Sequence, residues 1–180
     1  MNSRLKGKKV AILVANGFEQ VEMTEPRKAL QEAGANVDII SPEKGQVKGW
    51  KHTEWGDEFS VDKPLNGLRS DDYDALLLPG GVMNPDKLRM DVEAVNFVKQ
   101  FYNNQKPIAA ICHGPWLLIN AEIVKGRKMT SWPSIQHDLS NAGAEWVDEE
   151  TVVDGKLLTS RKPEDIPAFN KEMIQLFASN

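Results

Sequence analysis

Three apolar runs constrain this chain more than anything else in it: Val10–Ala15, Tyr73–Pro79 with Leu76-Leu77-Leu78 at its heart, and Pro107–Ile111. None alternates apolar with polar residues. A strand that is apolar at every position must be covered on both faces, and parallel strands in α/β proteins are built this way. Helical spacing fills the gaps between the runs. Residues 21–33 carry Met23, Leu30 and Ala33 on one side, with Pro26 near the start and Gly34 as a stop. Residues 86–103 carry Leu88, Val92, Val95, Phe97, Val98 and Phe101. Further helices are predicted over 116–124, 134–141 and 163–178. Strands are predicted at 36–40, 128–131, 145–147, 151–153 and 157–160. Alternating strands and helices with non-alternating strands predict an open, mostly parallel sheet with helices on both faces. Residues 41–72 break the pattern. Pro42, Gly45, Gly49, Gly56, Pro64 and Gly67 punctuate them, which predicts a small antiparallel excursion near Val47–Trp50 and Phe59–Val61.

At 180 residues the chain is read as one domain, residues 1–180. The formal charge of −4 argues against a stable nucleic-acid partner or an anionic membrane. The basic N-terminus precedes an apolar run of only six residues, Val10–Ala15, too short for a signal peptide or a membrane span. A single cysteine excludes an internal disulfide and suits a reducing, cytoplasmic location. No metal-ligand spacing, Walker loop or dinucleotide glycine pattern is present, so no metal or cofactor is expected.

The lone cysteine falls at the joint between the Pro107–Ile111 strand and the helix that follows, in Cys112-His113-Gly114-Pro115. A sharp strand-to-helix turn exposes a nucleophile above the sheet edge. An α/β sheet places its ligand site at the carboxyl ends of the strands. That rule brings together three loops: Asn16–Glu22, Pro79–Asp86 and Cys112–Pro115. Cys112 is the candidate nucleophile. Glu19 is the preferred acid to hydrogen-bond its thiol, with Glu22 and Glu25 as rivals. Gly80-Gly81 and the N–H after Cys112 offer an oxyanion site. His52 and His137 have weaker claims than His113.

These loops carry a family resemblance. Ala-Asn-Gly-Phe-Glu19, Leu-Leu-Leu-Pro-Gly-Gly81, Ala-Ile-Cys112-His-Gly-Pro and Arg127-Lys-Met-Thr-Ser-Trp-Pro133 resemble the PfpI intracellular-protease family. That family belongs to the class I glutamine amidotransferase-like superfamily, alongside the DJ-type deglycases. The resemblance spans about residues 8–178. It implies a three-layer, flavodoxin-like α/β sandwich with Cys112 as nucleophile and His113 as the histidine that follows it. It further implies that Glu19 is the buried acid on the thiol and that Gly81 and His113 supply the oxyanion hole, in a pocket with Gly80, Gly114 and Trp132. Asp86 lies in the loop from which protease-like members supply an acid to a neighbouring subunit's histidine, so a homo-oligomer, dimer or hexamer, is expected. The spacing from Gly81 to Asp86 is one residue longer than in the archaeal proteases. Trp132 stands twenty residues after Cys112, where the DJ-type branch has a histidine.

The resemblance implies a stress-protection protein that acts on small carbonyl compounds, or on proteins and peptides modified by them. An oligomeric cysteine peptidase is the alternative. A non-enzymatic sensor that works by oxidation of Cys112 is the third reading.

Overall fold

The computed structural model describes residues 3–179; Met1 and Asn2 of the basic N-terminal stretch, and Asn180, lie outside the described residues. The chain begins with β1 (Lys9–Leu13), then β2 (Phe18–Glu19), α1 (Gln20–Glu32) and β3 (Asn36–Ser41). A hairpin of β4 (Gln46–Lys51) and β5 (Glu54–Ser60) follows, with β6 (Lys63–Pro64) after it. The middle of the chain is β7 (Ala75–Leu78), α2 (Met83–Leu88), α3 (Val92–Asn103), β8 (Ile108–Ile111) and α4 (Pro115–Asn120). It ends with β9 (Lys128–Met129), α5 (Gln136–Asn141), β10 (Glu145–Trp146), β11 (Thr151–Asp154), β12 (Leu157–Ser160) and α6 (Ile166–Ala178).

Seven strands form the central sheet in the order β11-β12-β8-β7-β1-β3-β6, parallel throughout except for β11 against β12. The apolar runs of β1, β7 and β8 lie in its middle, and their residues divide between two cores. Ala11, Leu13, Leu76 and Leu78 face α3 and α4 through Phe97, Phe101, Leu117 and Leu118. Val10, Ile12, Leu77 and Ile111 face α1 and α6 through Met23, Leu30, Phe169 and Phe177. Burial on both faces explains why the sequence does not alternate, and it gives the three-layer α/β sandwich read from the sequence. Among the described residues, no helix is long and apolar enough to cross a membrane.

Two elements differ from expectation. The helix read as 86–103 is two helices. The first ends at Leu88, and after a turn through the exposed Met90, Asp91 caps the second by accepting from the N–H groups of Glu93 (2.8 Å) and Ala94 (3.2 Å). The excursion after β3 pairs antiparallel as expected, β4 against β5, but it gains β2 as a parallel third strand and so forms a second sheet, β2-β4-β5. Gln20 at the start of α1 holds this sheet in place. Its side chain donates to Asp57 Oδ2 (2.6 Å) and accepts from the Asp57 N–H (2.8 Å). Phe18 packs against Phe59 at 5.8 Å between ring centres. The hairpin is thereby a fixed wall at the carboxyl end of the main sheet.

The chain runs outward from β1 through β3 to β6, then returns to the other side of β1 as β7. The crevice of such a sheet lies where the strand order reverses. Here the loops after β1, β7 and β8 converge at that crevice.

Candidate active site

Cys112 follows β8 directly at φ 63°, in the left-handed region that an L side chain enters at a cost of about 1–3 kcal/mol. Its N–H donates to the Ser160 carbonyl of β12 (3.0 Å), and its carbonyl accepts from the Trp132 N–H (2.8 Å). Neighbouring backbone therefore holds the strained turn from both sides. The result is an elbow that turns the side chain from the sheet core towards a cleft of about 450 Å³.

Asn84, wholly buried in α2, ties the loop after β1 to the loop after β7. It accepts from the Ala15 N–H (2.7 Å) and donates to the carbonyls of Pro79 (2.9 Å) and Gly80 (3.1 Å). Sequence reading did not single it out. A polar residue inside Met-Asn-Pro looks like ordinary loop chemistry until β1 and β7 are side by side.

The acid on the thiol is Glu22, which corrects the assignment to Glu19. Glu22 is wholly buried in the first turn of α1, where it interacts with the Cys112 thiol. Its Oε2 accepts from the Gly80 N–H (2.8 Å), whereas Oε1 has no conventional hydrogen-bond partner. Glu19 is the last residue of β2, where the extended backbone pairs with Trp50 and sends the side chain to the cleft mouth. There it meets His52 Nδ1 at 3.7 Å. Three residues along the chain separate the two acids, and the onset of α1 between them decides which one reaches the sulfur. Glu25 is exposed on the outer face of α1.

Burial pushes the Glu22 carboxyl up to about 8, opposed by the thiol and by the N–H groups of Gly80 and Gly81. At neutral pH it holds its proton. Burial also raises the Cys112 thiol, and the charge of an ionised Glu22 would raise it further; the N–H groups of Gly81 and His113 pull the other way. Burial thus opposes ionisation of either group, and once one proton has gone the second is held harder still, because two anions in this small volume repel. The singly ionised form, with the charge on sulfur, has a carboxyl O–H and two amide N–H groups to stabilise it.

His113 is buried, with Nδ1 3.4 Å from the Cys112 sulfur. Its ring stacks on Trp132 (6.0 Å, 23°) and meets Trp116 edge-on (5.0 Å, 63°). Burial lowers its pKa to about 4, partly offset by Asp138, so the imidazole is neutral at neutral pH and forms no ion pair with the thiolate. Asp86 does not reach it within the chain: it is exposed and paired with Arg89 (2.7 Å). His52 lines the cleft, as does Trp132, which is 37% exposed. His137 lies on α5 and is exposed.

Of the expected oxyanion glycines, only Gly81 directs its N–H towards the sulfur. Gly80 has given its N–H to Glu22, and Gly114 donates to the Ile111 carbonyl (2.9 Å). Gly80 matters for space instead. A Cβ there would lie 2.6 Å from Glu22 Oε2 and 2.7 Å from both the Cys112 Cβ and the Ile111 carbonyl oxygen. Gly80→Ala is expected to pry the acid from the thiol, costing about 1–3 kcal/mol in urea melts and changing the rate at which Cys112 is alkylated. Unchanged alkylation would show that the two groups do not depend on this packing.

A flavodoxin-type sheet with a cysteine elbow over the crevice at its strand reversal defines the class of protein. The chain belongs to the DJ-1/PfpI family, whose model matches residues 8–176. It is 50% identical over 172 residues to general stress protein 18 of Bacillus subtilis, covering 94% of this chain and 98% of that one. It is 44% identical over 174 residues to protein/nucleic acid deglycase 2 of Escherichia coli, covering 96% and 99%. The crystal structure of DJ-1beta from Drosophila melanogaster superposes with a TM-score of 0.86 at 26% identity, covering 96% of this chain and 91% of that one.

Proposed function

We propose that this protein protects against reactive carbonyls, with Cys112 as the nucleophile that attacks α-oxoaldehydes or their early adducts on amines and thiols. The observation that carries this reading is the Glu22–Cys112 pair: a carboxyl protonated at neutral pH, buried against a thiol that two amide N–H groups also face. The names of the relatives from B. subtilis and E. coli, a stress protein and a deglycase, support the same reading.

Methylglyoxal illustrates the chemistry. The thiolate adds to the aldehyde carbon, and the developing alkoxide forms where the Gly81 and His113 N–H groups can donate to it. Glu22 delivers its proton to that oxygen, giving a hemithioacetal. As a carboxylate it then takes the C1 proton and returns it at C2, which converts the adduct to a thioester. Water cleaves the thioester, releasing lactate and the free thiol. The net change is addition of one water to methylglyoxal, with no oxidant or reductant. For an early adduct on an amine, attack at the same carbon expels the amine, and the later steps are shared.

A peptidase mechanism has less support. It calls for a histidine that can become charged, and His113 is neutral and enclosed by two indoles. Asp86 would have to leave Arg89 to serve the histidine of a second copy in an oligomer. The test is lactate formation from methylglyoxal in an amine-free buffer with a chelator present. Production well above that of a free thiol of equal concentration is expected; a rate no higher than the free thiol's overturns the reading.

A further inference from the structure

The cleft over Cys112 has an uneven charge lining. Glu19 and Glu164 line it beside the protonated Glu22, and among the described residues no lysine or arginine does. Two indoles line it as well, Trp50 from the hairpin and Trp132 from the loop after β9. Both are held in place before any ligand arrives. The Trp50 indole N–H donates to the His52 carbonyl (2.8 Å), and its ring is braced edge-on by Trp55 at 5.3 Å. Trp132 stacks on His113, and its backbone N–H is fixed to the Cys112 carbonyl. The carboxyl of Glu19 already has the ring nitrogen of the exposed His52 at 3.7 Å, the place a cationic donor would take.

From this lining we infer that Glu19 and Glu164, with the faces of Trp50 and Trp132, select substrates whose carbonyl is carried next to a guanidinium cation. Indole faces attract cations, and the planar, weakly hydrated guanidinium stacks on them better than an ammonium does. Carboxylates at the rim add charge-assisted hydrogen bonds to its N–H fork. Carbonyls that bear a carboxylate or phosphate meet the same rim as a repulsive field. The inference rests on the proposed reaction for its biological meaning, because it names the substrate class of that site. The binding preference itself can be measured without turnover.

The experiment compares N-butylguanidinium with N-butylurea, a neutral molecule of nearly the same shape. Both are unreactive. Binding is read by tryptophan fluorescence and by protection of Cys112 from alkylation. The cation is expected to bind about tenfold tighter than the urea. That preference should shrink in 0.5 M salt (roughly a 4 Å Debye length). It should vanish in a doubly substituted E19Q/E164Q protein, whose thermal melt confirms that it is folded. Equal affinity for the two probes, or a preference that survives in the double variant, overturns the inference. A guanidinium preference in a protein that forms no lactate would sink the proposed reaction and leave this rim standing. Lactate formation without the preference would do the reverse.

Discussion

Cys112→Ser is expected to abolish lactate formation from methylglyoxal, by at least ~10³-fold in kcat/KM. The reason is specific to the elbow. Serine keeps the volume and the φ of 63°, so the fold and the cleft persist. A hydroxyl facing Glu22 does not ionise near neutral pH, however, and the proton that should pass to the substrate has no thiolate to leave behind. Circular dichroism should show an unchanged fold, with a melting temperature within about 4 °C of the parent, a shift equivalent to roughly 1–2 kcal/mol. Residual turnover within tenfold of the parent would move the chemistry away from Cys112.

Glu22→Gln should give the second large effect, on two readouts. Glutamine keeps a hydrogen-bond donor near sulfur but cannot pass a proton, so turnover should fall roughly 10²- to 10⁴-fold. The same change at the exposed Glu25 should leave turnover within about twofold. The second readout is stability. Glu22 sits at about 8 in the folded chain, against 4.5 as its ordinary value. Between those pH values the folded chain holds a proton that the unfolded chain has lost. The stability contributed by this raised carboxyl is therefore fully present below about pH 4.5 and declines as pH rises towards about 8. Wild type should lose on the order of 3–5 kcal/mol across that window from this one group. In Glu22→Gln the decline should flatten, leaving the variant the more stable of the two above pH 8 in urea melts. Parallel pH–stability curves for the two proteins would show that Glu22 is ionised in the fold.

Much of the architecture was legible because β1, β7 and β8 are buried on both faces, and such strands leave non-alternating runs that few other structures produce. The same logic brought the three loops of the candidate site together, since the loops after those strands must meet where the sheet reverses. The choice between Glu19 and Glu22 was not legible. Both acids lie in a short stretch that passes from extended β2 into α1, and only the onset of α1 at Gln20 fixes which one turns to the sulfur. The state of His113 was hidden for a related reason. Its burial comes from Trp116 on the next helix and Trp132 in a distant loop, and adjacency to Cys112 carries no information about either. The break between α2 and α3 turned on Asp91 acting as a cap inside an otherwise continuous apolar stripe.

The central claim is that Glu22 keeps a proton at neutral pH and lends it to the sulfur of Cys112. Carbon-13 NMR of protein labelled at the glutamate side-chain carboxyl tests it directly, with Glu22→Gln identifying the resonance. A carboxyl that is protonated at pH 7 and titrates near 8, in step with a change in the alkylation rate of Cys112, is the expected result. A Glu22 resonance that titrates near 4.5, with the thiol reacting independently of it, would mean that the acid holds no proton for the sulfur at neutral pH.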